Sequence, residues 1–257
     1  MSAAEVIVHK DPAILARAAA ARLVTRLVDV QSARSNASVV LTGGGIGTAT
    51  LEEIRAIPAR DAVDWSHVDI WWGDERFLAT GDPERNETQA RAALLDHVKV
   101  DPARVHPVPA AGDAHDPEAA AERYAAALQA AAQPEDHGLV PQFDVLLLGI
   151  GPDGHVASLF PESPAMYDER SVVGVHGAPK PPPNRVSLTL GAINSAREIW
   201  IVAAGADKAR AVSLALGGAG SMQVPAAAVT GRRRTLWLLD TAAASKLPPG
   251  LNRLASP

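Results

Sequence analysis

The chain has 257 residues, 47% of them hydrophobic, and a formal net charge of −5; it can bury a sizeable core and has no general attraction to nucleic acid or to an anionic membrane. It has no cysteine, which excludes thiolate catalysis, disulfides and zinc–sulfur sites. No run reaches the ~18 apolar residues of a membrane span, and the first dozen residues lack the basic region and apolar core of an export signal, so a cytoplasmic protein is expected.

Strands and helices alternate along the sequence. Residues 5–9 form a short β-rich run, and residues 11–30 follow with apolar positions at helical spacing behind an N-cap at Asp11. Residues 38–41 predict a second strand, ending in Thr42-Gly43-Gly44-Gly45-Ile46-Gly47 before a helix over 48–57. A third strand over 67–72 ends in Gly73-Asp74-Glu75-Arg76, and a polar loop leads to a helix over 87–95. A helix over 117–132 precedes Val145, Leu146, Leu147 and Leu148, a run that reads as a strand buried on both faces. Strands over 185–190 and 198–203, a helix over 207–216, and a last strand over 235–239 with a short helix after it complete the order. This alternation predicts an α/β fold, a mostly parallel sheet with helices on both faces, in a single domain over 1–257. The Pro-rich piece 178–183 reads as a stiff surface loop, and Arg232–Arg234 as a solvated turn.

Three strand ends carry polar chemistry, and in open α/β sheets ligands bind at the carboxyl ends of strands. The glycine run after the second strand can turn backbone amides toward a phosphate at a helix N-terminus, although a tight turn without ligand fits the same residues. It matches neither a Walker loop nor the dinucleotide fingerprint, since no Gly-Lys-Ser/Thr follows and Thr50 holds the third glycine position. At the third strand's end, Asp74, Glu75 and Arg76 can bind an oxyanion or orient a base, or form an exposed ion-paired turn. At residues 149–155 a glycine-rich turn sets Asp153 two residues before His155, whose imidazole can act as a general base near neutral pH. Ser158 lacks the Gly-x-Ser-x-Gly elbow of serine hydrolases and reads as a helix-start or packing serine. Arg185 and Lys208 open a strand and a helix where they can balance a phosphate dianion, or stand as surface charges.

Taken in order, Leu-Thr-Gly-Gly-Gly (41–45), Trp-Gly-Asp-Glu-Arg-Phe (72–77), Asn86, Gly-Ile-Gly-Pro-Asp-Gly-His-Val-Ala-Ser-Leu-Phe-Pro (149–161), Arg-Val-Ser-Leu-Thr-Leu-Gly-Ala-Ile-Asn (185–194) and Gly-Ala-Asp-Lys-Ala (205–209) resemble the 6-phosphogluconolactonases. The resemblance spans residues 41–209 and implies a Rossmann-like fold related to glucosamine-6-phosphate isomerase. It also implies hydrolysis of 6-phospho-D-glucono-1,5-lactone in the oxidative pentose phosphate pathway, without metal or other cofactor. One departure stands in the glycine loop, which in the family reads Gly-Gly-Ser-Thr-Pro or similar; Gly45, Ile46 and Gly47 replace its last three positions.

The resemblance implies roles as follows. Thr42, Gly43, Gly44 and Gly45 take the phosphate, clamped by Arg185 and Lys208, while Asp74 and Asn86 contact the sugar. His155 deprotonates the attacking water, Asp153 or Glu75 orients the imidazole, and Arg76 or backbone amides stabilise the oxyanion. The partner is thus a small sugar-phosphate lactone, and the chain is expected as a monomer or weak homo-oligomer. An amino-sugar-phosphate isomerase or deaminase is the nearest alternative, but its acid-base loop, Asn-Met-Asp-Glu-Tyr in that family, reads Trp-Gly-Asp-Glu-Arg here. A non-catalytic sugar-phosphate sensor on the same fold is the alternative from another class.

Overall fold

A computed structural model describes residues 4–136, 138–248 and 251, so the two ends of the domain expected over 1–257 lie outside it. Six strands form a parallel sheet: β1 (Ala4–His9), β2 (Ala37–Leu41), β3 (Val68–Trp72), β5 (Val145–Leu148), β8 (Glu198–Ala203) and β9 (Arg234–Asp240). Their spatial order is β1-β9-β8-β5-β2-β3. All four residues of β5 are buried, as a central parallel strand requires.

Local chemistry explains where the helices begin. Helix α1 (Pro12–Arg34) starts with proline at its first position while the Asp11 carboxylate accepts from the Ile14 amide at 2.8 Å. It runs four residues further than the periodicity predicts. Helix α4 (Pro117–Ala131) repeats the device, with Asp116 accepting from Ala119 N at 2.8 Å. Helix α2 (Gly45–Ala56) opens three residues earlier than expected. Its Gly47 is forced by close approach, since a Cβ there would lie 2.7 Å from the Thr42 carbonyl oxygen. The helices pack around the sheet: α1 lies against α2 and the strands, and Tyr124 of α4 bonds both backbone groups of Trp72 through its hydroxyl, at 2.9 and 3.1 Å. The remaining helices are α3 (Asn86–Ala93), α5 (Leu190–Asn194) and α6 (Ala209–Leu216).

Further features depart from the expected pattern, among them α5, which opens at Leu190 where the end of a strand is expected. Three short strands, β4 (Asp74–Arg76), β6 (Val172–Val175) and β7 (Arg185–Leu188), form a separate antiparallel sheet in the order β4-β7-β6. The strand opened by Arg185 therefore belongs to this small sheet and not to the parallel one. Residues 241–246 form turns where a short helix was expected, with Asp240 accepting from the Ala243 amide at 2.7 Å.

The chain steps outward from β2 to β3, then returns to the other side of β2 for β5 and continues through β8 and β9 toward β1. The order reverses between β2 and β5. Loops leaving two such strands run in opposite directions and open a crevice at their carboxyl ends.

Candidate active site

The crevice is present at that point. The Gly149 amide donates to Thr42 Oγ1 at 3.4 Å, joining the loops that follow β5 and β2, and a cavity of about 300 Å³ opens beside them. Thr42, Gly43 and Gly44 form one wall, with Gly44 at φ +81° just before the first turn of α2. Gly45 opens that helix and stands outside the lining.

The turn after β5 closes on itself through Gly151 N to the His155 carbonyl and Gly154 N to the Gly151 carbonyl, both 2.9 Å. It brings His155 Nδ1 to 2.5 Å from Asp153 Oδ1, while the imidazole tilts over Phe160 with centroids 4.5 Å apart. With Nδ1 committed to the carboxylate, Nε2 is the nitrogen left for proton transfer. Burial works to raise the Asp153 carboxyl, but the hydrogen bond and charge of His155, with Lys180 beyond, outweigh it and hold the group well below the usual carboxylate range. Gly151 is required here, because a Cβ would fall 2.0 Å from His155 Nδ1 and 2.3 Å from Asp153 Oδ1.

The opposite wall comes from β4 and α3. Asp74 lines the cavity, accepts from the Ser158 hydroxyl at 2.7 Å, and receives Asn86 Nδ2 on its backbone oxygen at 2.8 Å. Asn86, also on the lining, is buried with its Oδ1 unpartnered. Glu75 is turned away from the cavity. Its carboxylate accepts from the amides of Arg76, Asn86 and Glu87 at 2.8, 2.7 and 2.9 Å, and Arg85 Nη2 lies 3.9 Å away. Burial pushes its carboxyl up to about 7, against the pull of Arg85 and the three amides. Of the two acids expected to orient the imidazole, only Asp153 touches it; Glu75 instead holds the first turn of α3, and so Asn86, in place.

Arg76 and Arg185 sit directly opposite each other in the antiparallel pairing of β4 and β7 and both line the cavity. Like charges so placed repel, and an anionic ligand relieves the repulsion. Arg76 Nη1 donates to the Glu84 carbonyl at 2.6 Å. Lys208 reaches the lining from a 3₁₀ turn before α6, with Nζ 3.1 Å from Asp207 Oδ2. The structure thus gathers nine of the expected residues on one cavity, with Asp153 just behind His155. Ser158 is the packing serine that the sequence suggests, and one residue outside the expected set joins the site. Ser158 is fully buried against Asp74, and Lys180, inside the Pro-rich loop, lines the cavity; a cation in a stiff loop five residues before Arg185 was the available signal. Among the described residues no group of three or more His, Cys, Asp or Glu side chains is placed to hold a metal, and no helix is long and apolar enough to cross a membrane.

Comparison with known proteins gives the chain its family. The sequence profile of the glucosamine-6-phosphate isomerases/6-phosphogluconolactonase family matches residues 10–237. The chain is 60% identical to a 6-phosphogluconolactonase of Streptomyces coelicolor over 98% of both chains. It is 49% identical to one from Mycobacterium tuberculosis, over 94% of this chain and 97% of that one. The solved 6-phosphogluconolactonase of Trypanosoma brucei superposes with a TM-score of 0.82 at 27% identity, over 95% of this chain and 98% of that one. The chain therefore belongs to the glucosamine-6-phosphate isomerase/6-phosphogluconolactonase family.

Proposed function

We propose that this chain hydrolyses 6-phospho-D-glucono-1,5-lactone to 6-phospho-D-gluconate, the lactone-opening step of the oxidative pentose phosphate pathway. The reading is supported by a relative named for that activity at 60% identity over 98% of this chain. The observation that carries the chemistry is the His155–Asp153 pair set on a cavity whose other walls bear Arg76, Arg185 and Lys208.

The phosphate lies against Thr42, Gly43 and Gly44, where amides at the start of α2 and the Lys208 ammonium favour an anion. Arg185 adds charge from β7. Asp74 and Asn86 take sugar hydroxyls, which directs C1 toward His155. His155 Nε2 removes a proton from water as its oxygen bonds to C1, and the carbonyl π pair moves onto oxygen. When that pair returns, the bond from C1 to the ring oxygen breaks, and the imidazolium gives its proton to the departing oxygen. The acid formed then ionises. Asp153 keeps the ring oriented and stabilises its cationic form. An ester carbonyl is activated enough for this route to need no metal, and the chain is read as a cytoplasmic monomer or weak homo-oligomer.

The test is the rate on freshly generated 6-phosphogluconolactone, above its spontaneous hydrolysis, beside the rate on glucosamine 6-phosphate. Acceleration of the lactone alone is expected; acceleration of the amino sugar alone overturns the reading.

A further inference from the structure

The Pro-rich segment 178–183 folds as a strap along the cavity, closed at its base by Ala178 N donating to the Pro183 carbonyl at 2.9 Å. Arg185 fastens it. The guanidinium Nε donates to the Pro182 carbonyl at 3.1 Å, and Nη2 to the carbonyls of Lys180 and Pro181 at 3.2 and 3.1 Å. Those bonds hold Lys180 and Pro181 on the lining.

Lys180 Nζ then lies 3.9 Å from Asp153 Oδ2, the carboxylate oxygen that the imidazole Nδ1 does not use. The ammonium and the proposed base thus face the two oxygens of one carboxylate, and both line the same cavity. At 3.9 Å it is beyond hydrogen-bond reach of that oxygen, so its three donors stay available on a flexible stem. The neighbouring cations are more constrained: Arg76 donates to the Glu84 carbonyl, Arg185 to the strap, and Lys208 sits beside Asp207.

We propose that Lys180 is a further catalytic residue, which binds the C1 carbonyl oxygen of the lactone and stabilises the oxyanion formed when water adds. The proposal rests on the lactonase reading. As water adds to C1 and the π pair moves to oxygen, the negative charge forms in a cavity whose lining already carries this cation, within reach of its flexible stem. The ammonium gains most when the charge is complete, so its effect falls on turnover more than on substrate binding.

The experiment uses Lys180→Met in the full chain, assayed on freshly generated lactone beside the parent protein. Removal of one oxyanion donor costs about 10²- to 10³-fold in kcat, with KM changing by less than about threefold. Two-fifths of the side chain is exposed, so the unfolding midpoint is expected to stay put, which separates this loss from misfolding. An unchanged kcat, or a loss confined to KM, overturns the proposal. A parent protein that fails to accelerate the lactone sinks the lactonase reading itself.

Discussion

Ser158 Oγ donates a 2.7 Å hydrogen bond to Asp74 Oδ2, tying the segment after the histidine turn to the first residue of β4. Both side chains are buried, and the other Asp74 carboxylate oxygen accepts from Asn86 Nδ2 at a long 3.4 Å. Ser158→Ala leaves a buried carboxylate oxygen without its donor. That deficit costs about 1–3 kcal/mol, read as a lower denaturation midpoint. It also frees Asp74 to rotate off the cavity wall, so kcat/KM falls. Unchanged midpoint and kinetics together would show that the bond holds nothing in place.

Asp153 is the acid in contact with the imidazole, so Asp153→Asn tests the orientation argument. A fully buried orienting carboxylate can be worth ~10⁴ in kcat. A third of the Asp153 side chain is exposed, which weakens the effect through solvent screening, and a loss of about 10² is expected. Steady-state kinetics on the lactone checks it, with Glu75→Gln as the comparison. Glu75 does not touch His155, so its replacement should cost turnover less.

Gly151→Ala probes the same pair through sterics. The added methyl would meet His155 Nδ1 at 2.0 Å and Asp153 Oδ1 at 2.3 Å, so the dyad must open. A kcat loss of at least about tenfold is expected, since displacement of about 1 Å in an active site can cost 10²-fold. The turn lies at the surface of the cavity, so circular dichroism should report an intact fold.

Glu75 predicts a pH dependence of stability. Its carboxyl titrates near 7 in the folded chain against 4.5 as its ordinary value. The folded state thus holds a proton that the unfolded state has released between those values, and stability falls as pH rises through that window. The contribution present below about 4.5 and lost above about 7 is on the order of 3 kcal/mol. Urea titrations of the parent and of Glu75→Gln should show their stability difference shifting against the parent over this window. Parallel pH profiles would remove Glu75 as the source.

The parallel core was legible because its strands are apolar runs and its helices carry caps: β5, β8 and the Asp11 start of α1 follow from local chemistry. The small antiparallel sheet was not. β4 and β6 are three and four residues long, and what makes them strands is pairing with β7, far from β4 in sequence and across the Pro-rich loop from β6. The candidate residues at the ends of β2, β3 and β5 are nameable from sequence because strand ends near a switch point converge on one cavity. Choosing between Asp153 and Glu75 required side-chain direction: Glu75 follows its strand into the amides of α3, whereas the Gly151–Gly154 turn folds Asp153 back onto His155. Lys180 escaped for a related reason, since only the Arg185 bonds to the loop carbonyls show which way the strap lies.

The most direct test of the account is the turnover of His155→Ala on freshly generated 6-phosphogluconolactone, corrected for spontaneous hydrolysis, in protein shown to be folded. Loss of the general base predicts a fall in kcat of about 10²- to 10⁴-fold. Turnover near that of the parent chain would contradict the assignment of His155 as the base.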